Sequence, residues 1–461
     1  MLLASSIGRL SYSAHHFSCC VASCSKSRLL HSSSSDSTAN ESKKEEDAVS
    51  LPSARRSGQD SGFRRGTGGR MSFSGNVVTI FGSTGFTGEV VVNRLAKDGT
   101  QMIIPYRKDP YWVRNLKVLC DLGQILFFPF DLRDEDSIRK VVKYSNIVIN
   151  LIGRDYETKN WPYNDVHVEG ARRLARICRE MGVRRFIHCS AMNASLNPQE
   201  FFIPGGSQFL RSKAEGEVAV REEFPDAVIV RPANMYGPND RLIRHYSYPW
   251  RRYAWWRIDV YKKGLQTFKM PLFLNDFAAG IQRIIQDATL NGQTIEFVGP
   301  ECYQLADLVD YYFRRIGRGE WIYYRRRNYT PYFHFHTNFS QWRASVFKWQ
   351  PLLSWELLEQ IECHSDLLTG VPTLEEIGVE NLGVFPLASR WILDQFTQIG
   401  YMEPSYGEFP EPPEPTPLPP IYINQPLPEV HVTETKTYRA DPEWARRMNR
   451  KRDVPLIEGL N

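Results

Sequence analysis

From residue 76 onward, short apolar runs alternate with segments in which apolar positions recur every three or four residues. NVVTIF (76–81), QMIIPYR (101–107), QILFFPFDL (124–132), NIVINLIG (146–153), RRFIHCSA (184–191) and DAVIVRPANMYG (226–237) read as six strands. The stretches 89–98, 109–122, 135–144, 166–181 and 208–223 between them carry helical spacing. Strands alternating with helices of this length imply βαβ units and a parallel sheet. The runs are almost wholly apolar, as befits strands covered on both faces. The pattern predicts an α/β fold, a doubly wound parallel sheet of Rossmann type. After Asn239 it loosens, with helices expected at 276–288 and 305–315 in a smaller α/β region that caps the strand ends.

Composition sets the limits of this core. The chain has 461 residues and a formal charge of +5. Its first 35 residues hold twelve serines, three bases (Arg9, Lys26, Arg28) and no acid before Asp36, the signature of an organellar transit peptide. Residues 404–428 contain ten prolines, and the chain ends near a basic cluster at Glu443–Arg452. Neither end is expected to bury enough apolar surface to offset the cost of ordering it, so both are read as disordered tails. The expected division is presequence and linker (1–70), dinucleotide-binding domain (71–240), smaller capping and docking region (241–403) and Pro-rich, basic extension (404–461). No run of about eighteen apolar residues occurs, which argues against a membrane-spanning helix. Modest, mixed charge argues against a dedicated nucleic-acid binder. Eight cysteines without metal-ligand spacing predict neither a zinc site nor a disulfide framework.

The candidate chemistry begins where the first strand meets the first helix, at Gly82-Ser83-Thr84-Gly85-Phe86-Thr87-Gly88. At GxxGxxG spacing, one glycine makes the tight turn, one admits a pyrophosphate to the backbone and one lets helix and strand pack closely. The helix N-terminus then offers unpaired N–H groups to the phosphates. At the end of the second strand, an acid would hold the ribose 2′-hydroxyl of NAD. The chain has Arg107 and Lys108 there, which favours a 2′-phosphate and hence NADPH. Asp131 and Leu132, ending the third strand, are expected beside adenine. Leu151, Ile152 and Gly153, ending the fourth, are expected under the ribose and nicotinamide.

These residues resemble the short-chain dehydrogenase/reductase superfamily in its extended and atypical branches, over roughly Asn76 to Arg318. FGSTGFTG, IIPYR, FDLRDEDSIRKVV, NIVINLIGRDYET, VHVEGARRLARICRE, FLRSKAEGE and VIVRPANMYGPNDRL together are similar to one branch, the nucleotide-binding accessory subunits of mitochondrial respiratory complex I. That resemblance implies a matrix-side subunit on the inner membrane, at the junction of the peripheral and membrane arms. It implies other complex I subunits as partners and tightly held NADPH as cofactor.

Active members of the superfamily carry Tyr-x-x-x-Lys, with a Ser or Thr on the preceding strand. The Tyr hydroxyl protonates the carbonyl, the Lys lowers its pKa and holds the nicotinamide ribose, and the Ser polarises the substrate. Here Phe209 stands at the Tyr position, Lys213 is retained, and the Ser position falls on Ala191 or, one residue earlier, on Ser190. A phenyl ring donates no proton, so no catalytic residue is assigned. Tyr156, Tyr163 and His188 are the candidate substitute acids.

Two aromatic and basic stretches, 244–257 and 323–336, suit partner subunits or the headgroups of a membrane surface. The expectation is a non-catalytic NADPH-binding subunit. Its rivals are a free-standing NADPH-dependent reductase and a dinucleotide-fold protein that binds RNA or regulates.

Overall fold

The computed structural model describes residues 69, 72–107, 109–238, 240–247, 257–316, 325–347, 351, 353–379, 383–396 and 414–428. All lie in one compact unit, Ala54–Asn461. The presequence, Lys108 and the terminal basic cluster fall outside these residues, as do 248–256 and 323–324 of the aromatic stretches.

The six expected strands are present: β1 (Val77–Phe81), β2 (Gln101–Tyr106), β3 (Ile125–Pro129), β4 (Ile147–Asn150), β5 (Arg185–Cys189) and β6 (Val228–Pro232). Short two-stranded ladders follow. β7 (Met235–Tyr236) pairs with β10 (Leu272–Phe273), β8 (Arg257–Asp259) with β13 (Arg325–Arg327), and β9 (Phe268–Lys269) with β12 (Tyr303–Gln304). A seventh strand that the pattern does not reveal, β11 (Thr294–Phe297), completes the main sheet beside β6. The order β11-β6-β5-β4-β1-β2-β3 is parallel throughout and reverses direction between β1 and β4. That reversal is the switch point at which doubly wound folds bind ligands.

Side chains alternate across the sheet as the pleat requires. Val78, Ile80, Ile147 and Ile149 face α1 (Phe86–Lys97), α2 (Arg114–Leu119) and α7 (Leu274–Gln286). Phe81, Val148 and Phe186 face α3 (Glu135–Val142), α4 (Gly170–Glu180) and α5 (Gln208–Glu223). Each buried Val, Ile or Phe removes about 1.5–3 kcal/mol of apolar exposure, which is what holds helices on both faces. Helix starts are set locally: Asp134 accepts from Asp136 N–H to cap α3, and Ser207 accepts from Leu210 N–H to cap α5. The helix expected at 109–122 is shorter, a 3₁₀ turn at Pro110–Val113 running into α2. That expected at 166–181 opens as a π-helical turn, Asn164–Glu169.

The remainder adds α6 (Leu242–Ser247), α8 (Leu305–Arg315), α9 (Pro331–Phe347), α10 (Trp355–Leu358) and α11 (Phe385–Asp394). α6, α8 and α11 share a core with Tyr236, Tyr246 and Phe385. Tyr246 and Phe333, from the aromatic stretches, are fully buried, whereas Phe335, Phe339, Trp342 and Val346 form an exposed stripe along α9. One expectation is corrected. Residues 414–428 of the Pro-rich stretch pack onto the body. Leu418 exchanges two backbone hydrogen bonds with Cys302, Leu368 N–H donates to Ile421 O, and Ile421 is buried. The segment needs no core of its own, because it borrows exposed backbone edges and an existing apolar cluster. Among the described residues no helix is long and apolar enough to cross a membrane.

Arg326 on β13 is buried, with Nε 2.9 Å from Asp310 Oδ1 on α8 and Nη1 donating to Lys263 O at 2.8 Å. Burial pushes the Asp310 carboxyl up to about 6, against the opposing pull of Arg326. Replacing Asp310 by Leu strands a buried guanidinium and is expected to cost about 3 kcal/mol in urea unfolding. Asp310→Leu with Arg326→Met is expected to recover most of that loss.

Candidate functional site

The carboxyl ends of β1, β4, β5 and β6 open into a cleft of about 400 Å³. Its near wall is the turn between β1 and α1. Gly82 has φ +84°, and a Cβ there would lie 2.9 Å from Leu151 C and 3.0 Å from Leu151 O. A Cβ on Gly88 would lie 2.4 Å from Ser83 Cα. Only glycine fits either position: the first lets the turn lie against the end of β4, and the second lets α1 start against β1. Gly85 N–H donates to Gly82 O at 3.1 Å, and Gly85 is the N-cap of α1 without a side chain to satisfy the first-turn N–H groups. The fully buried Ser83 Oγ has no hydrogen-bond partner among the described residues. A cradle of N–H groups that no side chain caps, with an orphaned hydroxyl beside it, fits a phosphate-bearing ligand.

Gly82, Gly85, Phe86, Thr87, Leu151, Gly153 and Lys213 line the cleft. Ser83, Thr84, Gly88, Arg107, Asp131, Leu132 and Ile152 are not among its lining residues. Thr84 is exposed at the loop, and Ile152 is half-buried with its N–H donating to Asn150 Oδ1. Arg107 is exposed at the end of β2, its guanidinium carbon 5.5 Å from the Trp161 ring centre. Asp131 is exposed, and its Oδ1 accepts from Arg133 N–H at 3.0 Å to fix the turn after β3. Leu132 is buried against Gly170 of α4.

Lys213 is almost fully buried. Its Nζ donates to Cys189 O at 3.2 Å and lies close beside Gly153. Burial pulls the ammonium below its ordinary value, against the opposing pull of Cys189 and Glu217. Phe209, four residues earlier, is also buried, edge-on to Tyr163 and His167. Ser190 donates its hydroxyl to Glu217, which is held in turn by Arg231 at 2.6 and 3.0 Å. That proton is therefore committed away from the cleft, and Ala191 beside it has none to give.

The other candidate acids are also accounted for. Tyr163 donates its hydroxyl to Asp155 O at 2.9 Å, and burial raises its pKa. Tyr156 is half-buried, its ring under the Arg154 guanidinium at 5.0 Å. His188 accepts from the Asn150 side-chain amide at Nδ1, which places its proton on Nε2, a buried atom with no hydrogen-bond partner among the described residues. Burial, aided by Lys213, pulls its pKa down to about 3. None of the three lines the cleft. His167 accepts from Arg154 N–H at Nε2, and Ser212 donates to Phe209 O. His167 Nδ1 must then donate to Ser212 Oγ at 2.8 Å, so it too is a neutral imidazole.

The far wall comes from residues beyond the sheet's first six strands, including Leu242, Leu357, Ile361 and His364. Periodicity could not locate it, because α10 has four residues and runs into a π-helical turn, Glu359–Cys363. Asn193 was missed as well. It stands at φ +62° after β5, a conformation Asn tolerates, and lines the cleft.

Residues 78–294 match the NAD dependent epimerase/dehydratase family. The chain is 40% identical over 319 residues to the mitochondrial NADH dehydrogenase [ubiquinone] 1 alpha subcomplex subunit 9 of Rattus norvegicus, covering 68% of this chain and 79% of that protein. It is 35% identical over 320 residues to the mitochondrial NADH-ubiquinone oxidoreductase 40 kDa subunit of Neurospora crassa, covering 68% and 78%. Among solved structures, the triphenylmethane reductase of Citrobacter sp. shares the fold, with a TM-score of 0.51 and 14% identity over 70% of this chain and all of that one.

The depressed pKa of His188 carries a stability consequence. Below about pH 6.5 the unfolded chain takes up a proton that the folded chain refuses down to about pH 3, so this residue's contribution to stability is lost as pH falls through that window. The slope is at most about 1.4 kcal/mol per pH unit. The raised carboxyls of Asp240 and Glu359, both pushed up to about 7 by burial, act with the opposite sign. Urea unfolding at pH 6.5 and 4.5 is expected to show a smaller loss on acidification in His188→Gln than in the wild type.

Proposed function

The chain belongs to the family of the mitochondrial complex I alpha subcomplex subunit 9 proteins, and from that premise we propose that it is an accessory subunit of respiratory complex I that holds NADPH without turning it over. The observation that carries this reading is the pairing of a complete glycine cradle with a proton-poor floor. Gly82 and Gly88 let the turn close against β4 and β1 and so set the uncapped start of α1, Gly85–Thr87, in the cleft wall, while Phe209 offers a phenyl ring where carbonyl reduction needs an acid. General acid catalysis is typically worth 10²–10⁴-fold, and the groups nearest Phe209 are engaged elsewhere: Tyr163 with Asp155 O, His167 with Arg154 N–H and Ser212, and Ser190 with Glu217.

In this reading the loop Gly82–Gly88 receives the pyrophosphate. Arg107 meets the 2′-phosphate, Asp131 and the Leu132 backbone meet adenine, and Leu151, Ile152, Gly153 and Lys213 lie along the nicotinamide ribose. Arg107 at the end of β2 supports NADPH over NADH, since a guanidinium complements a phosphate and would leave a 2′-hydroxyl poorly matched. Bound only to the folded chain, the cofactor stabilises it by mass action. The presequence takes the chain to the matrix side of the inner membrane, where residues 71–240 bind the cofactor and 241–403 dock. The exposed stripe Phe335, Phe339, Trp342 and Val346 on α9 suits a partner subunit or inner-membrane headgroups.

The test is to isolate the tagged full-length chain from mitochondria on native gels and to assay nucleotide released on denaturation by mass spectrometry. Migration with a very large membrane complex and recovery of NADPH are expected. Arg107→Glu is expected to lower both bound NADPH and the amount of assembled complex, leaving NADH oxidation per assembled complex unchanged. Assembled protein devoid of nucleotide would sink the cofactor reading. Substrate-dependent NADPH oxidation by the isolated chain would instead favour a free-standing reductase, and salt-sensitive retention of RNA a nucleic-acid role.

A further inference from the structure

At the carboxyl ends of β2 and β3, two guanidinium groups meet one indole. The guanidinium carbon of Arg133 lies 4.2 Å from the Trp161 ring centre, and that of Arg107 lies 5.5 Å from it. Arg133 stands on the turn after β3, where its own N–H donates to Asp131 Oδ1 at 3.0 Å. Its Nη2 donates to Asn160 O at 2.6 Å and sits 3.4 Å from the Asp165 carboxylate, an exposed ion pair of little strength. The ring itself is fixed in advance. Thr158 and Trp161 exchange backbone hydrogen bonds of 3.2 and 3.0 Å, and the indole packs against the core beneath α3 and α4.

Both guanidinium groups gather at one ring, and the single carboxylate paired with either among the described contacts is Asp165, on Arg133. Both cations are exposed, and both follow strands whose ends hold the adenosine half of a dinucleotide in this fold. We infer that Arg133 is a second cation of the 2′-phosphate subsite, with Trp161 as the platform that presents Arg133 and Arg107 together. This rests on the reading that a dinucleotide occupies the cleft. Two planar guanidinium forks can share the oxygens of a phosphate dianion, whereas the 2′-hydroxyl of NADH gives them nothing to complement. Arg133 is thus a specificity-determining residue that the spacing rule for strand ends, which points to Arg107, does not reach.

The experiment titrates the full-length chain calorimetrically with 2′,5′-ADP and with 5′-AMP, which differ only in the 2′-phosphate. Arg133→Gln is expected to weaken 2′,5′-ADP about tenfold, the scale of one charge-assisted hydrogen bond, and to leave 5′-AMP within about twofold. Trp161→Leu is expected to act likewise through loss of the platform, and Trp161→Phe to retain most of the affinity. Unchanged 2′,5′-ADP binding in Arg133→Gln overturns the inference, and so does an equal loss for both ligands. Wild-type protein that binds neither ligand overturns the dinucleotide reading itself, which keeps the two failures apart.

Discussion

The cleft depends on two places where a single added carbon atom cannot stand. A Cβ on Gly82 would press on the backbone of Leu151, and one on Gly88 would overlap Ser83. The first contact sets how closely the β1–α1 turn approaches the end of β4. The second sets the line along which α1 leaves the sheet. That line fixes α7, which packs against α1 through Val91, Leu95, Phe277 and Ile281 and is tied to it by Arg94 and Gln282. The switch point thus keeps its shape because the backbone is packed to contact there, and no side chain could be added without moving a helix.

The second constraint is electrostatic. The part of the chain that closes the cleft is joined to the sheet body by carboxylates from one short segment. Glu356 accepts from Ser207 Oγ and from the N–H groups of Gln208 and Phe209, so it caps α5 from outside. Glu359 accepts from Ile203 N–H. Glu362 ties the closing part together from within, meeting His245, Tyr261 N–H and Tyr329. Buried acids of this kind add little net stability, because desolvation offsets most of what their hydrogen bonds return. They do fix register: a segment shifted by one residue would leave several buried charges unpartnered. The start of α5, which carries Phe209 and Lys213, is held by this clamp.

What could be read from residues alone follows from how each feature is encoded. Six strands were legible because each is a run of apolar residues buried on both faces. β11 was not, because TIEF is four residues long and includes Glu296, whose carboxylate is buried against Thr369. The glycine loop was legible because its requirement is local. The far wall was not, since Leu357, Ile361 and His364 reach the cleft only through the carboxylate clamp. Asp131 shows an intermediate case: its position after β3 was clear, but its hydrogen bond to Arg133 N–H belongs to a turn that spacing does not specify. The prolines of 414–428 misled in the other direction. Composition spoke against burial, yet an extended chain can still pair with an exposed backbone edge at Cys302 and Leu368.

On the proposed reading, the packing behind the cleft at Phe209 bears on why a cofactor would be kept where it is not consumed. Phe209, Tyr163 and His167 pack ring against ring, His167 is locked as a neutral imidazole, and the Ser190 hydroxyl is committed to Glu217. Lys213, which does line the cleft, is buried against Cys189 O beside Gly153. A buried ammonium with one carbonyl partner is poorly solvated, so a ligand offering ribose hydroxyls next to Gly153 would relieve it. On the proposed reading, this ties occupancy to folding more firmly than a solvated lysine could. The empty site leaves a desolvated charge under-satisfied, and the filled site completes its hydrogen bonds. On the same reading, the task of Lys213 is to make the fold depend on the ligand, which needs no tyrosine beside it.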